Sequence, residues 1–333
     1  ADAEEDKPSE EKTESETPAA ESEEEKEAEK TTKEEKPGLD QGKVLPKIAQ
    51  WSLAKYDELA KGEPRGLAIH CEGRLVPGLV WEKPVDVPDS LVWDIAIAQG
   101  RCYVAAGLEA KVYVMEGEAL REFFRAPEGL FVSTLIGLPD GSVACATVPD
   151  ATLYVVGADG KIKSRKHFEE NYIWDILRDD DGLWVATGRP GLVYKVTPDG
   201  TAKRVAVLPE EHVTALAARG STLYAATVDR GGLYRISSGA VTQLIARPDE
   251  EAVDVAVLDD GSVALGLYDA AAILGLSPDG SLETWYEGEG MRLYGMLGLG
   301  DAVVAGLGTP ASMVRARGRG DWELVTKERS LGL

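Results

Sequence analysis

Residues 172–200 read YIWDILRDDDGLWVATGRPGLVYKVTPDG. Short apolar runs, Tyr172 to Leu177, Leu183 to Thr187 and Leu192 to Val196, are cut by Asp181 and Gly182, by Arg189, Pro190 and Gly191, and by Asp199 and Gly200. The runs are rich in Val, Ile, Leu and aromatic residues and too short for helix faces, so they read as strands. The Asp-Gly pairs supply the positive backbone dihedrals that tight hairpins demand. The unit therefore predicts a meander of four antiparallel strands, near 172–178, 183–187, 192–197 and 202–207.

The same pattern recurs along the chain. Aligned on Trp174, the units place Trp93, Ser133, Trp174, Thr214, Val253 and Tyr294 in one column, at spacings of 40, 41, 40, 39 and 41 residues. Four-stranded units of about 40 residues are the period of propeller blades. Apolar residues on both faces of the strands fit sheets packed between sheets and fit poorly with a two-layer sandwich whose outer faces meet water. In the first strand of each unit a regular pleat predicts Val92, Val132, Ile173, Val213, Ala252 and Leu293 on one face. Ile95, Leu135, Ile176, Leu216, Val255 and Met296 are predicted on the other. A closed ring would hide both.

The expected fold is all-β: a β-propeller of four-stranded antiparallel blades over residues 45–333, preceded by a disordered acidic tether over 1–44. Six units are plain. The span before them is also one period long, with strand-like runs at Lys47 to Leu53, Gly66 to Cys71 and Arg74 to Val80. Seven blades are favoured on that count, the first irregular and closed against the last strands near Met313 and Trp322. Six blades with an added flap is the alternative.

Charge and composition bound the function. Acidic residues number 58 against 36 basic, a net charge of −22. Residues 1–40 hold 17 acidic residues against 6 lysines, half of that net charge, with no aromatic side chain. Such a segment buries too little apolar surface to offset the entropy of ordering. Without a basic cluster, nucleic acid is excluded as the expected partner. No run approaches the roughly 18–20 apolar residues of a membrane helix, so no transmembrane segment is expected. The chain opens Ala1, Asp2, Ala3 and then runs into the polar segment, the layout of an exported protein whose leader has been removed. A periplasmic or extracellular location is the expectation.

The repeat from Trp174 to Gly200 resembles that of bacterial β-propeller proteins of the broad seven-bladed and lactonase-like kind, over roughly residues 64–328. It is unlike the WD repeat, because Trp93-Asp94 and Trp174-Asp175 open the first strand, whereas in that family the dipeptide closes the third. The resemblance implies an architecture. Enzymes and scaffolds share it, so it assigns no activity.

Two sets of residues stand out as candidate sites. Asp94, Asp175 and Asp254 share the position after the aligned column, on the strand that lines the central channel. Three carboxylates there form a candidate metal site, for which Ca²⁺ is the fitting ion because hard oxygen ligands suit it. The plainer explanation is that each Asp binds backbone amides of the next blade. Trp93, Trp174, Tyr172, Tyr294 and His212 lie at the start of first strands and form a candidate binding surface at one mouth of the channel. Tyr113, Tyr154, Tyr194 and Tyr234 repeat in the third strand and read as core. Arg315, Arg317 and Arg319 form a small basic strip, read as charge decorating an exposed edge strand. No nucleophile elbow, phosphate loop or zinc motif is present in the sequence. The favoured reading is a non-enzymatic platform without a cofactor, presenting one propeller face to a protein or glycan partner. The alternative is a metal-dependent lactonase-like hydrolase or lyase, with the three Asp as ligands and His212 as base.

Overall fold

The computed structural model describes residues 55–80, 85–89, 91–229, 232–308 and 310–327. The chain divides into two units, Ala1–Trp51 and Ser52–Leu333, and the described residues lie in the second. The predicted tether over 1–44 and the predicted strand at 47–53 fall outside them.

A single helical turn, α1 (Tyr56–Leu59), precedes a short hairpin, β1 (Leu67–His70) and β2 (Leu75–Pro77). Six meanders follow. Blade 1 is β3 (Val92–Ala98), β4 (Arg101–Ala106), β5 (Lys111–Glu116) and β6 (Ala119–Arg125). Blade 2 is β7 (Phe131–Gly137), β8 (Val143–Val148), β9 (Thr152–Val156) and β10 (Ile162–His167). Blade 3 is β11 (Tyr172–Asp179), β12 (Gly182–Gly188), β13 (Leu192–Val196) and β14 (Ala202–Val207). Blade 4 is β15 (Val213–Arg219), β16 (Thr222–Thr227), β17 (Gly232–Ser237) and β18 (Ala240–Ile245). Blade 5 is β19 (Ala252–Val257), β20 (Val263–Leu267), β21 (Ala272–Leu276) and β22 (Leu282–Glu287). Blade 6 is β23 (Arg292–Leu299), β24 (Ala302–Gly308), β25 (Ser312–Gly318) and β26 (Asp321–Lys327). In each blade the strands pair in chain order, and the first strand is innermost.

Among the described residues the propeller has six blades, the alternative count, in place of the seven favoured. The early strands do not form a blade of their own. β1 pairs antiparallel with β26 through Ile69 and Leu324 and through His70 and Glu323, so blade 6 becomes a six-stranded sheet in the order β2-β1-β26-β25-β24-β23. Strands of four and three residues bury too little to stand alone, but they cap the exposed edge of β26. The pairing near Trp322 was legible in the sequence, although the blade was not. The pairing of β26 with β25 corrects the reading of the arginine strip. β25 is no edge strand, and Arg315 and Arg317 point at the buried carboxylate of Glu323 on β26.

Every inner strand carries a β-bulge at the aligned column. The pairing register slips between Val92 and Asp94, Val132 and Thr134, Ile173 and Asp175, Val213 and Ala215, Ala252 and Asp254, and Leu293 and Gly295. One extra residue breaks the alternation of the pleat. Val132 and Leu135 therefore face the same seam, as do Ile173 and Ile176, in place of the opposite faces predicted.

Five apolar clusters fill the five seams between blades 1 and 2 through 5 and 6. The seam between blades 6 and 1 is different. Ile95 of β3 faces the side from which a preceding blade would come and is 58% exposed, where its counterpart Ile176 is 3% exposed. Leu297 of β23 faces the side of a following blade and is 60% exposed, against 8% for Ala256. Ile97 and Leu299 are exposed beside them. The outer part of this seam is lined by the connection from the hairpin to blade 1. Leu79 shares a small cavity with Leu299, Val304 and Val325, while Val87 packs on Val104, Ala106 and Tyr113. Among the described residues the inner part stays open, so the predicted closure by blade-on-blade packing holds for five joints out of six.

Candidate functional site

The bulges build the site. A bulged residue projects out of the pleat, so the column Trp93, Ser133, Trp174, Thr214, Val253 and Tyr294 stands at the rim where the inner strands begin. Two residues earlier lies a second column, Leu91, Phe131, Tyr172, His212, Glu251 and Arg292. The two columns together form the upper rim.

The residue after each bulge ties the ring. Asp94 accepts the N–H of Ile95 at 2.7 Å and, across the seam, that of Leu135 at 2.8 Å. Asp175 accepts Ile176 and Leu216, both at 2.7 Å. Asp254 accepts Val255 at 2.7 Å and Met296 at 2.5 Å. These bonds clasp blades 1 to 2, 3 to 4 and 5 to 6. The even seams use a hydroxyl: Ser133 Oγ donates to the Ile173 carbonyl at 2.5 Å, and Thr214 Oγ1 to that of Ala252 at 2.7 Å. Blade 6 carries Tyr294-Gly295 at these positions. It has neither carboxylate nor short hydroxyl to offer, and its seam is the open one.

The three aspartates are thus brought to one level of the ring, and each spends both carboxylate oxygens on backbone amides. Burial pushes Asp175 up to about 7, against the pull of the Leu216 amide, with Asp254 and Asp94 adding repulsion. Burial raises Asp254 to about 6 and lifts Asp94 as well. No group of three or more His, Cys, Asp or Glu side chains among the described residues is arranged to hold a metal ion. The donor set does not fit Ca²⁺, which takes about six to eight oxygens converging on one point.

The aromatic candidates assemble over the same clasped seams. Trp93 stacks on Phe131 at 4.0 Å between centroids and donates its Nε1–H to the Gly107 carbonyl at 2.8 Å. Tyr172 stacks on Trp174 at 5.0 Å, and His212 meets both rings from blade 4. Tyr268 meets Tyr294 edge-on at 5.6 Å, with the Arg292 guanidinium over the Tyr268 ring. Phe131, Tyr268 and Arg292 were not singled out in the sequence. Phe131 and Arg292 were available as members of the column two residues before the bulge.

Trp174 Nε1–H donates to His212 Nδ1 at 2.8 Å. The acceptor nitrogen carries no proton, so the neutral ring keeps its hydrogen on Nε2 and can only donate there. Burial lowers the pKa of His212, and Arg189 adds to the effect against the pull of Asp229. The shift favours the neutral ring, whose one lone pair, on Nδ1, already accepts from Trp174, so the base expected under the enzymatic reading has its acceptor engaged. Gly188 makes the contact possible. A Cβ there would run into His212 Nδ1 and come within 2.5 Å of Trp174 Nε1.

The architecture defines a β-propeller protein, with its Trp-Asp pairs opening the first strand and not closing the third. The family described as two component regulator propeller matches residues 167–189, which run from the end of blade 2 through the first hairpin of blade 3. Among solved structures, virginiamycin B lyase from Staphylococcus aureus is similar, at 16% identity and TM-score 0.60, covering 72% of this chain and 84% of that one. A gluconolactonase from Xanthomonas campestris is similar at 14% identity and TM-score 0.51, covering 72% and 88%. YCF48 from Cyanidioschyzon merolae, also solved bound to the D1 peptide, is similar at 12% identity and TM-score 0.56, covering 75% and 89%. These likenesses concern the fold. Comparison with curated protein sequences finds no match.

Proposed function

We propose that this propeller is a non-enzymatic platform that docks a protein partner on its upper rim and open seam. The observation that carries the reading is the set of exposed apolar side chains on the inner strands of blades 1 and 6: Trp93, Ile95 and Ile97 on β3, and Tyr294, Leu297 and Leu299 on β23. Large apolar side chains exposed together mark interaction surfaces, and aromatic residues dominate the energetics of such surfaces. A glycan would use the rim aromatics and leave Ile97 and Leu299 untouched. The acidic segment over 1–44 then serves as a tether, in a periplasmic or extracellular setting. No helix among the described residues is long and apolar enough to cross a membrane.

The test is crosslinking from photoreactive side chains placed at Ile97 and at Leu299, in the source organism, with Trp93→Ala and Tyr294→Ala variants alongside. A discrete protein adduct that both variants weaken supports the platform. Adducts at neither position, or adducts indifferent to the rim, remove its basis.

The second reading, a metal-dependent hydrolase or lyase, is favoured by one observation: three carboxylates with raised pKa values lie within electrostatic reach of one another. It requires each of them to exchange amide partners for an ion.

A further inference from the structure

The second strand of a blade sends one side chain into the seam with the following blade. Tyr103 in β4, Trp184 in β12 and Tyr224 in β16 are those residues, each packed with the cluster of its seam. In β8 the equivalent residue is Ala144, fully buried between blades 2 and 3. Blade 5 also has an alanine there, Ala264, but Trp285 of β22 fills the space, packed so closely over Gly275 that no Cβ would fit. Blade 2 has no counterpart: Trp285 sits in a bulge between the partners of Leu274 and Ile273, whereas Arg165 and Lys166 of β10 pair without a break with Tyr154 and Leu153. Nothing among the described residues plugs its seam, and a cleft of about 610 Å³ opens there on the side opposite the aromatic rim.

The cleft has an apolar floor of Leu138, Leu153, Val155, Leu183 and Val196. Its wall is β10, whose sequence IKSRKH is basic in a chain of net charge −22. Most charges there are matched. Lys163 Nζ lies 2.9 Å from Asp140, Arg165 lies 3.8 Å from Glu128, and Asp179 is held by Lys195. Among the described residues Lys166 and Arg178 form no ion pair, and Asp180 is the one unmatched acid lining the cleft. Lys166 pairs in register with Leu153 and Arg178 with Leu183, so each cation stands on the sheet face of a floor leucine.

A mostly apolar pocket with a few convergent polar groups is the usual form of a small-molecule site. We propose that this cleft binds a molecule with an apolar body and one carboxylate, the body on the leucine floor and the carboxylate on Lys166 and Arg178. The site is separate from the rim, and its test is independent of the platform reading.

Calorimetric titration of the full chain with decanoate, and with decanol as the neutral control, tests it. Trileucine with a free carboxylate and its amide form a second pair, which separates a free acid from a peptide terminus as the source of that chemistry. Binding of decanoate or trileucine at least about tenfold tighter than the neutral partner is expected, since a charge-assisted bond is worth that factor or more. The double variant Lys166→Gln, Arg178→Gln is expected to erase the preference while keeping the melting temperature. Ala144→Tyr, which copies Tyr103 and Tyr224, is expected to abolish binding of both members of each pair. Should Ala144→Tyr fail to fold, the surface double variant decides alone. Absence of binding by both acids, equal binding of acid and neutral partner, or an unchanged preference in the double variant overturns the proposal.

Discussion

The Leu216 amide of blade 4 donates to the carboxylate of Asp175 in blade 3 at 2.7 Å, across a seam that both blades otherwise seal with apolar side chains. This clasp sets a half-buried ionisable group on the inner wall of the ring. Removing it as Asp175→Ala is expected to cost about 1–3 kcal/mol for each of the two amides left without an acceptor. Equilibrium denaturation against Ile97→Ala, an exposed site whose amide takes no part in a clasp, measures it.

The same group makes stability depend on pH in an unusual direction. Burial raises the Asp175 carboxyl to about 7, above the ordinary value of 3.8. Between those values the folded chain holds a proton that the unfolded chain has released. Its contribution is fully present below the unfolded value and is lost as pH rises through about 7. Asp254 behaves alike through about 6. Melting curves from pH 5 to 8 are expected to shift in favour of Asp175→Asn over the parent as pH rises, and a constant difference contradicts the assignment.

At the open joint the usual cost of truncation disappears. Ile95→Ala and Leu297→Ala are expected to change stability by no more than about 0.5 kcal/mol, as exposed sites do. Ile176→Ala and Leu216→Ala, both at the position of Ile95 but in sealed joints, are expected to cost about 2–5 kcal/mol. Similar losses at both pairs of sites indicate a ring sealed all round.

Gly188→Ala forces a methyl group between Trp174 and His212. The expected result is a destabilisation of about 1–3 kcal/mol, typical of overpacking, with altered tryptophan fluorescence. Trp174→Phe keeps the stacking on Tyr172 and frees His212 Nδ1, so its fluorescence loss comes without the steric penalty.

Ca²⁺ distinguishes the two functional readings. With every oxygen of Asp94, Asp175 and Asp254 engaged by an amide, millimolar Ca²⁺ is expected to leave the melting temperature unchanged. A rise of several degrees that the triple change to Asn removes gives the ion its place.

The repeat was legible because each blade meets the same demand: two apolar faces, four strands and turns that need Asp-Gly. Strand limits in the third unit were predicted within about two residues. The bulge was not, since an inserted residue leaves the composition of a strand unchanged and alters only the direction in which the later side chains point. Blade number was misread for a related reason. The run around Leu67 to Val80 has strand composition, and composition does not say whose edge it will cover. The clasp role of the aspartates was visible as the plainer alternative, because a bond between blades must recur. Phe131 and Tyr268 escaped notice, since a stack between blades joins residues on units that are aligned with each other but never compared side by side.

Among the described residues five joints are tied and one is not, which makes an uneven ring. Where no described neighbour shields β3 and β23, amide hydrogens are expected to exchange soonest and unfolding to start. A guest wedged into the gap completes the circle and slows that fraying, which turns occupancy into a change in the lifetime of the whole domain.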